Sequence, residues 1–157
     1  MVRRVLTVGY FVSLSTIGWC QPQPLRDTVS VDVLRNPVPS KAQVMIDKAQ
    51  QLSAEGKHQE AIEQLLDTVK KYPVAAGRVQ SFLGVEYIQT EQYTQAVKAL
   101  REAVRLLPHD AINHSNLALS LAAAGEIPAA IVEVRRAVEL DPENPKMQGL
   151  LAALGYQ

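Results

Sequence analysis

The chain has 157 residues, and its 16 basic and 16 acidic side chains give a formal net charge of zero. This length suits one domain with a short targeting segment, and a hydrophobic fraction of 47% is ordinary for a folded protein. Because there is no basic excess, the composition gives no support to nucleic-acid binding.

Residues 1–20 have the composition of a secretory signal peptide. Arg3 and Arg4 precede a short apolar run that ends at Trp19, which matches the charged start and apolar core of such a signal. Cleavage after Cys20 gives a mature chain that begins at Gln21, so we expect an exported protein, periplasmic or extracellular. A retained signal-anchor is the alternative, although the run is short for a membrane-spanning helix.

Cys20 allows a further interpretation of the same segment. Ile17, Gly18, Trp19 and Cys20 resemble a bacterial lipobox, in which the cysteine becomes a lipidated N-terminus, although Trp19 is large for its place. Membrane association is therefore expected only if Cys20 is lipidated or the signal is retained. Cys20 is the single cysteine, so the mature domain is expected to be indifferent to an oxidising compartment.

Residues 21–39 are predicted to be an extended, strand-like linker. The run Gln-Pro-Gln-Pro opens it, and residues 28–34 then alternate apolar and polar side chains as a strand does. No partner strand exists in the sequence, so this stretch either lies against the first repeat or pairs with another protein. We favour the first alternative, because a lone exposed strand is an aggregation hazard.

Residues 40–157 contain a pattern that recurs every 34 residues or so, about the length of one stacked helix pair. Three sets of residues keep the register: Pro73, Pro108 and Pro142; Ala61, Ala96 and Ala130; and Ala49, Gly84 and Ala118. In stacked helix pairs no unit can bury its apolar face alone. The small residues are expected to let neighbouring helices approach closely.

Apolar residues at three- and four-residue spacing predict two helices in each unit. The predicted helices are 41–54 and 58–71, 77–89 and 94–107, and 113–124 and 128–140. Gly56 and Gly125 suit the left-handed conformation that ends a helix, and each unit closes at a proline. Asp110 and Asn144 are N-cap candidates, while Ser40 followed by Gln43 predicts a capping box.

With these residues in place, the chain resembles tetratricopeptide repeat proteins over about residues 42–144. The matching residues of the second unit are Leu83, Gly84, Tyr87, Ala96, Leu100, Ala103 and Pro108. Those of the third unit are Leu117, Ala118, Leu121, Gly125, Ala130, Val134, Ala137 and Pro142. The first unit is the loosest, and the family's aromatic residue near the start of the first helix is replaced by Met45, Gln80 and His114.

The resemblance implies an all-α fold, a right-handed superhelix of three helix-turn-helix units preceded by the extended segment. The repeats are assigned to residues 42–76, 77–110 and 111–144. Residues 145–155, with an apolar stripe that includes Met147 and Leu154, are expected to form a capping helix that covers the last apolar face.

No arrangement of residues in the sequence indicates catalysis. His58, His109 and His114 have no metal-ligand spacing with other candidate ligands, and no phosphate-binding loop or nucleophile motif occurs. We therefore expect no enzyme activity, no catalytic residues, no metal and no cofactor.

The resemblance also implies a concave surface, lined by the first helix of each unit, that binds a peptide or a partner helix. The groove residues expected on this basis are Gln50, Arg78, Phe82, Val85, Gln89, Asn116 and Leu119. Further inward candidates are Gln43, Ile46, Ser81, Ile112 and Ser115. Phe82 and Leu119 have an alternative role, which is packing against neighbouring helices or the N-terminal segment.

One subset of the family captures the C-terminal carboxylate of chaperone tails with Lys, Arg and Asn side chains. The corresponding places hold Ile46, Gln50, Phe82, Ile112 and Asn116, of which only Asn116 fits. The expected partner is therefore an amphipathic helix or a hydrophobic peptide, bound by a non-enzymatic exported interaction module. The alternatives are a membrane-tethered envelope assembly factor and a regulatory subunit of an enzyme.

Overall fold

The computed structural model describes residues 37–155. The predicted signal peptide, Cys20 and the strand-like stretch 28–34 lie outside the described residues. Within residues 37–155 the chain forms seven α-helices and no strand. They are α1 (Ser40–Ala54), α2 (His58–Lys71), α3 (Ala76–Gln89), α4 (Tyr93–Leu106), α5 (Ala111–Ala123), α6 (Ile127–Leu140) and α7 (Pro145–Gly155), with a short 3-10 helix at Pro73–Ala75. The all-α prediction is confirmed, and the helix ends lie within two residues of those predicted.

The helices are stacked in chain order. Three helix pairs are formed by neighbours in the chain: α1 with α2, α3 with α4, and α5 with α6. Each pair packs on the next element through α2 with α3, α4 with α5 and α6 with α7. In addition α3 contacts α5, and α5 contacts α7. Helices α3, α5 and α7 therefore lie side by side, which is the arrangement of a helical-repeat superhelix.

The small residues of the repeat lie in the core. Ala61, Ala96 and Ala130 are completely buried, and they belong to two apolar clusters. The first core cluster is Ala42, Ile46, Ala49, Ala61, Ile62, Leu65, Ala75, Val79, Leu83 and Ala99. The second core cluster is Ile88, Ala96, Val97, Leu100, Leu117, Ala118, Leu121, Ala130, Val134 and Leu154. Alanine and leucine thus fill the interfaces, as the low aromatic content of 5% requires.

Gly84 shows why one position of the second unit tolerates no side chain. A Cβ atom built there would lie 3.0 Å from Cδ1 of Leu100 and closer still to Cγ. Leu100 is completely buried and cannot turn away into solvent. The expected close approach of α3 and α4 at this glycine is confirmed.

The turns inside the three pairs share one backbone conformation. Gly56 has φ +75° and Gly125 has φ +83°, and Glu91 takes the left-handed conformation too, with φ +59°. In each case the residue ends the first helix of its pair. The predicted use of Gly56 and Gly125 is confirmed, and Glu91 adopts the same conformation without the freedom of glycine.

The helix starts confirm two predicted caps and contradict a third. Oδ1 of Asn144, before α7, accepts a hydrogen bond from the backbone N–H of Lys146 (3.2 Å). Oδ1 of Asp110 accepts hydrogen bonds from the backbone N–H groups of Ile112 (3.0 Å) and Asn113 (3.1 Å), as an N-cap does. The capping box of Ser40 and Gln43 is wrong. Pro39 precedes α1 without a side-chain cap, Ser40 is already helical, and the Gln43 side chain donates to Asp47 instead.

Candidate functional site

Five side chains of α3 lie on one face of that helix and are all partly buried. They are Arg78, Ser81, Phe82, Val85 and Gln89, and except for the adjacent Ser81 and Phe82 they follow one another at intervals of three or four residues. This spacing keeps them in one line along the helix. Other residues of α3, among them Val79, Leu83 and Ile88, are buried in the core.

Helix α5 carries a matching line of side chains 34 positions further along the chain. It consists of Ile112, Ser115, Asn116 and Leu119. Because α3 and α5 contact each other, the two lines adjoin. We call these nine residues of α3 and α5 the groove. Gln50, at the register of Val85 and Leu119 on α1, is exposed.

Two large apolar side chains of the groove, Phe82 and Leu119, are partly engaged in packing. Phe82 packs against the first core cluster and Leu119 against the second. Both remain partly exposed. Each side chain therefore has one side against the core and another toward solvent.

Ile46 is not part of the accessible surface. It is completely buried in the first core cluster, so its placement in the groove is wrong. The N-terminal end of the face is consequently more polar than expected, since α1 contributes Gln43 and Gln50 there.

Asn116 is buried deep in the groove, with only 3% of its surface exposed. Its backbone carbonyl accepts a hydrogen bond from Oγ of Ser120 at 2.9 Å. The side-chain Nδ2 is buried and has no hydrogen-bond partner. An unpaired buried donor of this kind costs about 1–3 kcal/mol relative to a paired one.

Asn113, one turn earlier on α5, is in the same condition. Its Nδ2 is buried without a partner, and 2% of the residue is exposed. Sequence reasoning did not single it out. The available signal was two asparagines three residues apart in a helix that is otherwise rich in apolar and small residues.

His114 occupies the place where the family has an aromatic residue. Its Nδ1 lies 2.7 Å from Oε2 of Glu133 on α6, and its Nε2 lies 3.2 Å from the backbone oxygen of Pro108. Burial lowers the pKa of His114. The hydrogen bonds to Glu133 and Pro108 raise it by more, so the pKa lies above its ordinary value of 6.5.

A second histidine–glutamate pair joins the first unit to the second. Nδ1 of His58, at the start of α2, lies 2.9 Å from Oε2 of Glu86 on α3. The Glu86 side chain is almost completely buried and that of His58 is 30% exposed. Neither link between helices was predicted from the sequence, in which the histidines were considered as metal ligands and His114 also as the replacement of an aromatic residue.

Arg78 is the charged side chain of the groove. Within residues 37–155 Arg78 takes part in no ion pair. Other arginines are paired, such as Arg101 with Glu126 and Arg105 with Glu102, and their side chains are exposed. The groove therefore combines one free cation with amides and apolar groups.

Two further features bear on what this surface can do. Among residues 37–155, no group of three or more potential metal ligands comes together. None of the seven helices described above has the length and apolar content that crossing a membrane requires.

Comparison with known proteins supports the fold. Residues 87–154 match the sequence model of the family described as tetratricopeptide repeat. No curated protein matches the chain. The first TPR of Spaghetti (RPAP3), solved bound to the HSP90 peptide SRMEEVD, is similar with a TM-score of 0.71 and 20% sequence identity, over 74% of this chain and 92% of that one.

Two other solved structures show the same likeness. The second TPR domain of human RPAP3, in complex with the HSP70 peptide SGPTIEEVD, has a TM-score of 0.70 and 18% identity over 75% of this chain and 98% of that one. MamA 41-end from Desulfovibrio magneticus RS-1 has a TM-score of 0.69 and 23% identity, over 73% of this chain and 64% of that one. This protein therefore has the tetratricopeptide-repeat fold, with the sequence of that repeat recognised over residues 87–154.

Proposed function

We propose that the protein is a non-enzymatic protein-interaction module whose groove binds an extended, mainly apolar peptide or a partner helix. The observation that carries this proposal is the side chain of Asn116, a buried donor without an acceptor that lies in the line of groove residues. A bound peptide supplies backbone carbonyl oxygens, and one of them would pair with this amide once the groove side chains that close it off from solvent move aside.

The apolar side chains support the same partner chemistry. Phe82, Val85 and Leu119 are partly exposed beside Asn116, and a partner that covers them removes apolar surface from water. Phe82 is the aromatic residue of the set, and aromatic side chains are frequent hot spots of binding.

The solved neighbours guide the choice of ligand but do not supply it. The RPAP3 domains are described with acidic HSP90 and HSP70 peptides. In this chain Arg78 is the single cation of the groove, and Phe82 and Ile112 stand where the carboxylate-binding subset carries polar or basic residues. We therefore propose an apolar ligand and expect the peptide SRMEEVD to bind poorly.

A peptide-display selection on the chain from residue 21 onward tests this proposal. Enriched apolar peptides should bind the wild-type protein, and Asn116→Ala should weaken them by about tenfold, equivalent to about 1.4 kcal/mol. Asn113→Ala is the matched control, since Asn113 is equally buried and unpaired but lies outside the groove line.

Phe82→Ala separates binding from packing. Because Phe82 is only partly buried, the variant should lose less stability than the roughly 3–5 kcal/mol that removal of a fully buried Phe side chain costs. We expect the variant to bind the peptide more weakly as well. If the selection yields no peptide, or if Asn113→Ala and Asn116→Ala weaken binding equally, the proposed groove is not the binding site.

We further propose that the protein is exported, on the composition of residues 1–20, with tethering through a lipidated Cys20 as the second candidate. The observation that favours tethering is the lipobox-like run before Cys20. Mass analysis of the mature N-terminus distinguishes them. Export with cleavage leaves Gln21 first, tethering leaves a lipidated Cys20, and a full-length chain in the membrane fraction indicates a retained anchor.

A further inference from the structure

Both ring nitrogens of His114 face a hydrogen-bond acceptor. Nδ1 meets a carboxylate oxygen of Glu133 at 2.7 Å, and Nε2 meets the backbone oxygen of Pro108 at 3.2 Å. A neutral imidazole carries one N–H and can donate to only one of these oxygens, whereas the imidazolium carries two. The geometry is therefore fully satisfied only by the protonated ring.

The ring has little access to water that could replace either bond. His114 is 8% exposed, so in the neutral form one nitrogen lone pair would point at an oxygen inside the protein. Burial alone lowers the pKa of His114, and the bonds to Glu133 and Pro108 outweigh it. Arg136, also on α6, acts in the opposite direction to Glu133 but more weakly.

The charged groups of the other elements next to α5 do not provide an alternative partner. In the preceding loop they are His109 and Asp110, and the Asp110 carboxylate caps α5. The remainder are distributed over α3, α4 and α7: Arg78, Glu86, Lys98, Arg101, Glu102, Arg105 and Lys146. Of these, Glu86, Arg101, Glu102 and Arg105 are paired with other residues.

The position of His114 connects three parts of the third unit. The side chain belongs to the first turns of α5, the carboxylate to α6, and the carbonyl to the loop after α4. Asn116, the buried amide of the groove, follows two residues later on α5.

We propose that His114 is a proton-dependent link that holds the start of α5 against α6 and the preceding loop. As an imidazolium it makes both hydrogen bonds, and when it loses its proton one of them is lost and the third unit becomes less stable. The link is a property of the fold, and it does not depend on what the groove binds.

The direction of the effect follows from the raised pKa. A group whose pKa is higher in the folded state than in the unfolded state stabilises the fold fully below its unfolded value, here 6.5. That contribution is lost as the pH rises through the folded-state pKa. The stability of the third unit is therefore expected to fall as the pH rises above 6.5.

His58 provides the internal contrast. Its Nδ1 faces Oε2 of Glu86, no second acceptor within residues 37–155 lies against the ring, and the side chain is 30% exposed. A neutral tautomer that carries its proton on Nδ1 satisfies this geometry.

Long-range proton–nitrogen NMR of the histidine rings of the whole chain tests the proposal directly. In the folded protein below pH 6.5 both nitrogens of His114 should carry a proton, and the ring should titrate at a pH above 6.5. Glu133→Gln keeps the shape and an acceptor oxygen but removes the charge, so it should lower the pH at which His114 titrates. The proposal is overturned if one ring nitrogen of His114 is unprotonated in the folded wild type at a pH below 6.5.

Urea denaturation across the same pH range gives the second readout. The midpoint of the wild type should fall as the pH rises above 6.5, and Glu133→Gln should reduce this fall by half or more. An equal slope in the wild type and in Glu133→Gln would show that the link is absent, and this variant keeps His114 itself intact.

Discussion

At the scale of single residues, Gly84 and Leu100 decide how closely α3 and α4 can pack. Gly84→Ala places a Cβ against the buried Leu100 side chain, and overpacking of this kind costs about 1–3 kcal/mol. Alanine gains about 1 kcal/mol over glycine in a helix interior. Because Leu100 is fully enclosed, we expect the steric cost to exceed the gain, with a net loss of up to about 2 kcal/mol in urea denaturation.

The third unit supplies the control for this prediction. It carries Ala118 and Val134 at the positions of Gly84 and Leu100. The extra methyl group of alanine is thus combined with a valine, which is smaller than leucine. Gly84→Ala combined with Leu100→Val should recover part of the stability that Gly84→Ala loses. If Gly84→Ala is as stable as the wild type, the approach of α3 and α4 is not limited by this contact.

At the scale of the helical elements, Glu91 occupies the least favourable of the three helix-ending turns. It has φ +59°, where Gly56 and Gly125 stand in the other pairs, and side chains other than glycine pay about 1–2 kcal/mol for this conformation. Glycine gives the unfolded chain more conformational entropy, and the loss of this entropy on folding costs about 0.4–1 kcal/mol. We therefore expect Glu91→Gly to stabilise the protein by about 0.5–1 kcal/mol in thermal or urea denaturation.

Gly125→Ala is the reverse experiment on the third pair. A Cβ at this glycine meets no atom within 4 Å, so any loss of stability reports the backbone conformation alone. We expect a loss of about 1 kcal/mol. A destabilised Glu91→Gly would mean that the Glu91 side chain contributes more than its backbone conformation costs.

The elements also show what the sequence could predict and what it could not. The helix pairs were predictable because the period repeats three times and the glycines and prolines mark the ends of the helices. The capping box at Ser40 failed because α1 begins at Ser40 itself. Pro39, and not Ser40, therefore occupies the N-cap position. Local signals locate helices well, but a cap depends on which residue starts the helix.

The groove was predicted only in outline for a different reason. The register of the repeats gave its residues, but the burial of Asn113 and Asn116 depends on how α5 is covered by its neighbours. The pairing of His114 with Glu133 likewise joins two helices at a distance of 19 residues. Neither is encoded in spacing along one helix, so only the packed structure reveals them.

At the scale of the whole molecule, α7 closes the stack. Met147 is completely buried and Leu154 is 6% exposed, although most other residues of α7 are exposed or partly buried. Met147→Ala should therefore lower the free energy of unfolding by about 2–5 kcal/mol, as for other buried large-to-small changes. Lys146→Ala, next to it on the exposed side, is the matched control and should change stability by less than about 0.5 kcal/mol. Comparable losses in both variants would mean that α7 does not cover the core.

The order of the helix contacts has a kinetic consequence. Each helix packs on its neighbours along the chain or on the helix two positions away, so almost every contact closes a short loop. Proteins with such low contact order fold quickly, because little loop entropy is lost before the contacts form. Folding can start at any pair and spread to the next, and partial unfolding should begin at the ends of the array, in α1 or α7, while the Gly84 contact in its middle stays formed.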